Sequence, residues 1–181
     1  MEYTRARASI TVPRERRLNM RLMALWWDRR AERRFPKIAD FDPDDLSDIW
    51  HHCFTLAPLE PRERSTFRYV GDAIAAQSGV ADSEITLDQV AANSLLGQAT
   101  RNVDEVLSQQ VPVIRSGEFV NDDGATVRFR SILLPLSGDR DSIECVIGAA
   151  RSTIGDPPAA RRSGEGEGEG KGEGETAGKA E

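Results

Sequence analysis

Two histidines and two cysteines hold most of the ligating and nucleophilic potential of this 181-residue sequence. Their positions limit what they can do. His51 and His52 are adjacent at the start of a segment with a period of two, so a strand there sends them to opposite faces. A heme needs an axial ligand, often a histidine aimed into a pocket, and the reading of both residues as polar groups at a strand start outweighs ligation. Flavin photochemistry needs a reactive thiol in a polar helical motif. Cys53 and Cys145 fall instead in apolar, strand-like contexts without metal-ligand spacing, and read as small buried hydrophobes. A Ser-His-Asp or Cys-His device needs three converging groups, and the sequence offers no such constellation. Asp40, Asp42, Asp44, Asp45 and Asp48 form a dense acidic run that lacks the spacing and glycine of a calcium loop. Helix capping and favourable charge at a helix start account for most of it. No catalytic residue, metal centre or cofactor is expected, and neither heme nor flavin is supported.

The elements that carry these residues are legible in outline. Residues 15–34 place Leu18, Leu22, Leu25, Trp26 and Arg29 at helical spacing, which predicts an amphipathic helix stopped by Pro36. Asp42 and Pro43 open a short helix ending near Trp50. The period then changes to two, predicting strands over 51–61 and 65–74, with Phe67 and Tyr69 on one face and Arg68 and Val70 on the other. Short helical pieces follow, one capped by Ser83 or Thr86. A longer helix is expected over 93–110, bounded by Pro112. Three strands over 111–120, 125–136 and 142–150 close the domain, joined by turns at 121–124 and 137–141. Five antiparallel strands with helices between the second and third make an α+β fold with one helix-covered face.

Charge is unevenly distributed behind a net −6. Residues 1–37 carry +7, residues 38–154 carry −10 and residues 155–181 carry −3. The last segment is rich in glycine and glutamate and has no large apolar residue. It is expected to be disordered, as residues 1–14 are expected to form a flexible basic N-terminus. The folded unit is then 15–154, one domain. The acidic total argues against a nucleic-acid binder. No apolar run reaches the length of a membrane span or signal peptide. A reduced cytoplasmic protein without a membrane partner is the expectation.

The sequence resembles a bacterial PAS family of small proteins, often a single PAS domain behind an N-terminal helix. The likeness rests on the Leu25-Trp26 helix, Arg34, Pro36, Asp40-Phe41-Asp42-Pro43 and Asp45-Leu46. It continues through His52-Cys53-Phe54 and Phe67-Arg68-Tyr69-Val70-Gly71, and spans about residues 18–152. Family members often have a glycine-containing turn after the first helix. Here Arg30-Ala31-Glu32-Arg33 stands in its place, which would let the helix run longer.

The resemblance implies a PAS fold, a five-stranded sheet with helices on one face, and a sensory or regulatory module of signal transduction without catalysis. It implies a small cavity between sheet and helices. Phe54, Phe67, Tyr69, Phe129, Ser131, Leu133, Cys145 and Ile147 lie at alternating strand positions and would line it, with Tyr69 and Ser131 as polar handles. Plain core is the stronger reading of the same set. The resemblance also implies that the N-terminal helix and outer sheet face bind another copy or an unidentified signalling protein. Leu22, Trp26, Trp27 and Arg30 are the candidate interface of a homodimer, against the alternative that the sheet covers both tryptophans. A ligand-free dimerising adaptor is the first rival reading and a small α+β enzyme the second.

Overall fold

Antiparallel pairing arranges five strands in the order β2-β1-β5-β4-β3. They are β1 (Cys53–Ala57), β2 (Thr66–Val70), β3 (Val113–Val120), β4 (Thr126–Ser137) and β5 (Ile143–Ile154). The helices are α1 (Arg14–Arg30), α2 (Asp72–Ser78), α3 (Leu95–Thr100) and α4 (Val103–Gln109), with single 3-10 turns between 38 and 89. This computed structural model describes residues 14–80, 84–139 and 142–155. The expectations for residues 1–13 and 156–181 and for a Ser83 cap lie outside the described residues, as does part of the expected 137–141 turn.

The sheet is buried on both faces at its centre. Residues 131–137 of β4 and 145–150 of β5 are buried without interruption. A strand covered on both sides reads as a continuous apolar run rather than an alternation. On the inner face, under α2, α3 and α4, lie Phe54, Leu56, Phe67, Val70, Leu133 and Val146 with Leu96, Val103 and Val106. On the outer face, under α1, lie Ile132, Leu134, Leu136, Cys145, Ile147 and Ala149 with Leu18, Leu22 and Trp26. Each fully buried aliphatic side chain contributes roughly 1.5–3 kcal/mol, so the outer cluster is a second core.

Several expectations from sequence are corrected. The helix 93–110 is two helices, broken at Arg101-Asn102. Gly97 lets α3 approach the carbonyl of Ala91, where a Cβ would clash with backbone. The first helix ends at Arg30 rather than running on, because Ala31 takes a left-handed conformation (φ 49°). The strand expected over 51–61 begins only at Cys53, because Trp50–His52 form a 3-10 turn. His51 and His52 therefore do not face opposite ways; their rings lie 4.3 Å apart at 42°.

A bulge in β2 corrects the face assignment there. Thr55 pairs with Tyr69 but the next residue, Leu56, pairs with Phe67, leaving Arg68 as the extra residue. An inserted residue reverses the alternation beyond it. Phe67 and Val70 thus share the inner face, while Tyr69 turns to the outer one.

Candidate functional site

The outer face of the sheet and the helix on it form the most elaborated surface of the molecule. Helix α1 holds to the sheet first through its apolar stripe. Leu18, Leu22 and Trp26 recur every four residues and are buried to 2% exposure or less. Two side chains then fix its position along β4. The Asn19 amide donates to the Ser131 carbonyl at 3.2 Å, and the Trp26 indole N–H donates to the Pro135 carbonyl at 2.8 Å. Proline is tolerated at 135 because β3 stops at Val113, opposite Leu133. Past that point β4 has an open side, where a missing N–H leaves no ladder bond unmade. The chain leaving α1 fills the vacated place: Ser137 N–H donates to the Pro36 carbonyl at 2.9 Å.

A row of ion pairs lies along the flank of α1. Arg21 pairs with Asp48, Arg29 with Asp45, and Arg33 just past the helix with Asp40 at 2.6 Å. The acidic run read from sequence as caps is therefore largely a set of partners for α1. Asp42 does cap, accepting from the Asp44 N–H at 2.9 Å. Burial alone would raise the Asp40 pKa, but the Lys37 N–H and the Arg33 guanidinium outweigh it and hold it below the ordinary value. The three pairs are half exposed, and such pairs contribute about 0–1 kcal/mol each. They set the rotation and direction of α1, while the apolar stripe holds it.

The four residues expected at an interface divide. Leu22 and Trp26 are buried against the sheet of their own chain, so their side chains are not available to a partner. Their helical phase matches the sheet-facing stripe, which is the physical reason for this correction. Trp27, 100° further round the helix, is 51% exposed. Its ring meets Trp26 edge-on at 5.1 Å, and the Arg30 guanidinium sits 4.5 Å from its centroid. The half-buried Arg30, one turn on from Trp26, also reaches the Trp26 ring at 5.9 Å, so Trp27 is the side chain this part of α1 presents outward.

The eight residues expected to line one cavity are split between two cores. Phe54, Phe67, Phe129 and Leu133 belong to the inner cluster, with Ser131 buried at the intervening β4 position. Cys145, Ile147 and Tyr69 belong to the outer one. The register explains the split: Leu133 opposes Gly148 and Leu134 opposes Ile147, so Cys145 and Ile147 share a face with Leu134 and Leu136. Both faces are apolar, so periodicity alone could not fix which residues look inward. Inside, the Phe54 ring lies over Gly148, where a Cβ would overlap it. Tyr69 donates its hydroxyl to the Trp50 carbonyl at 3.2 Å and stacks on the Trp50 ring at 4.5 Å.

The cysteines are free and buried. Burial pushes the Cys53 thiol up to about 12 and the Cys145 thiol up to about 11, so neither is a nucleophile near neutral pH. Burial pushes the His52 pKa down to about 4, with Arg151 and His51 adding to the effect and Asp72 opposing it. Its Nε2 accepts from the Arg151 guanidinium, with Nε at 3.0 Å. This contact joins residues 99 positions apart, and nothing in the sequence pattern announces it. Among the described residues, no group of three or more His, Cys, Asp or Glu could hold a metal ion, and no helix is long and apolar enough to cross a membrane.

A groove of about 470 Å³ opens on the inner side of the sheet, beside α2 and α3. Leu95, Phe119, Val127 and Ile154 give it apolar walls, and Gln77, Asn121, Asp123 and Ser152 give it polar groups. None of the eight residues expected from sequence lines it.

Comparison with protein-family models agrees with this architecture. A family model described as "PAS domain" matches residues 14–151. A search of curated proteins found no match. Among solved structures, a light-oxygen-voltage domain studied with a flavin analogue is similar at 14% identity, covering 61% of this chain and 82% of its own, with a TM-score of 0.44. A PAS domain from Colwellia psychrerythraea is similar at 10% identity, covering 61% and 95%, TM-score 0.42. The PAS domain of the fruit-fly ELK potassium channel is similar at 10% identity, covering 64% and 99%, TM-score 0.42.

Proposed function

The chain belongs to the PAS domain family, and from that premise we propose that it is a regulatory module without catalysis, acting through a protein contact made by α1. The observation that carries this reading is the arrangement of α1 itself. The helix is locked to the outer sheet face by a second core, and it turns Trp27 outward with the half-buried Arg30 guanidinium over its face. An exposed tryptophan with an arginine over its face suits a protein interface, where both residue types are enriched. The partner is a second copy of this chain or a signalling protein. Buried thiols of high pKa and a histidine tied up by Arg151 support the absence of catalysis.

The groove beside α2 and α3 supports a ligand-binding arm of the same reading. Its mix of apolar wall and polar rim suits a small amphipathic metabolite. Strands β4 and β5 run from its edge, at Val127 and Ile154, to the residues under α1, so a ligand there would press on the strands that seat the helix. A native mass spectrum of protein purified from its source reads both arms at once. The expected spectrum shows a dimer or a heteromeric complex, with a small bound mass if the ligand arm operates. A bare monomer at micromolar concentration would contradict the contact-based reading.

A further inference from the structure

A second cationic feature lies on the outer sheet face, at the end of α1 where the helix begins. Arg128 and Arg130 of β4 and Arg151 and Thr153 of β5 border a shallow groove of about 180 Å³. Arg130 and Arg151 are directly opposed across the two strands, as are Arg128 and Thr153. Like charges directly opposite one another destabilise a sheet. Arg128 is matched by Glu118 at 2.7 Å. Arg151 is held by the neutral acceptor of His52, which supplies no charge. Among the described residues, no carboxylate forms an ion pair with Arg130 or Arg151. An anion lying across them would relieve the cost of their opposition.

We propose that this anion is the chain's own Gly-Glu repeat, with Glu165, Glu167 and Glu169 laid across Arg128, Arg130 and Arg151. Three features of the chain point to that occupant. The first is connection: β5 carries Arg151 and Thr153 and ends at Ile154, so the repeat is covalently tethered to a strand that borders the groove. Glu165 is ten residues beyond Gly155, a reach of up to about 33 Å, so distance places no limit on the contact. The second is charge: residues 165–175 hold five glutamates and one lysine. The third is spacing. In an extended segment, side chains two residues apart share a side and lie about 6.7 Å apart. Glutamates 165, 167 and 169 have that spacing, and so do Arg128 and Arg130 on their strand. The intervening glycines place no side chain against the sheet. Exposed pairs are individually weak, but the tether holds the repeat at an effective concentration in the millimolar range. The contact would shield the cationic end of the outer face from other anionic partners.

The test compares the full chain with a full chain carrying Glu165→Gln, Glu167→Gln and Glu169→Gln. Backbone amide NMR spectra are recorded at low salt and at 0.5 M NaCl. The expected result is a set of shift differences concentrated at 128–130 and 151–153, lost at high salt and absent when the same two tails are compared in an Arg130→Gln background. Identical spectra at those residues in low salt would overturn the proposal, whatever else then neutralises the arginines. Differences confined to other surfaces would overturn it equally.

Discussion

Replacing Trp26 by phenylalanine tests how α1 is held, with the same change at Trp27 as its control. Trp26→Phe keeps an aromatic ring in the outer core but removes the indole N–H bonded to the Pro135 carbonyl at 2.8 Å. That carbonyl sits on the open side of β4, under the helix. A buried acceptor left without a partner costs about 1–3 kcal/mol, and the void left by the smaller ring adds on the order of 1 kcal/mol. The expected loss is therefore roughly 2–4 kcal/mol, a fall in Tm on the order of 10 °C for a domain of this size. Trp27→Phe makes the same chemical change on a half-exposed ring whose main neighbour is the Arg30 guanidinium. It keeps an aromatic face for that cation, so its cost should stay within about 0.5 kcal/mol. Urea unfolding of both variants gives the difference directly. Equal losses, or a larger loss at Trp27, would refute the assignment of Trp26 as the anchor.

Three further substitutions probe other parts of the account. Ala31→Gly should stabilise the protein by about 1 kcal/mol in the same assay, because Ala31 holds φ 49° where glycine pays no steric penalty; a destabilised variant would contradict that backbone. Gly148→Ala should cost roughly 1–3 kcal/mol, since the new methyl meets the Phe54 ring, and a neutral result would show that Phe54 does not lie there. His52 has a folded pKa of about 4 against an ordinary 6.5, so the unfolded chain takes up its proton first as pH falls. Stability linked to His52 is present above pH 6.5 and declines toward pH 4, by up to about 3 kcal/mol. His52→Gln should flatten the slope of unfolding free energy over that window, and an unchanged slope would assign it to other groups.

The order of elements was legible because each has its own punctuation. The Leu18–Trp26 stripe, the Asp42-Pro43 start and the Asn121–Gly124 turn all sit where the sequence places them. Which residues share a face was less legible. The strands β4 and β5 are apolar on both sides, so their pattern does not encode which face looks inward. The Arg68 bulge is one inserted residue without a glycine or proline to mark it. The role of the acidic run was available in part: Arg21, Arg29 and Arg33 recur at multiples of four on α1 and just beyond it. Read against Asp48, Asp45 and Asp40 in reverse order, they describe a helix lying antiparallel to its partners. The His52–Arg151 contact and the groove at Gln77, Asn121 and Asp123 depend on segments brought together only by the sheet.

The contact made by α1 is tested most directly by native mass measurement of the full chain beside a Trp27→Ser variant. Trp27 lies on the outside of the helix and is 51% exposed, so the urea midpoint should move little. The expected result is a dimer or a heteromeric complex for the unmodified chain and a folded monomer for the variant. A variant that remains dimeric, or an unmodified chain that is monomeric with no partner recovered from its source, would contradict it.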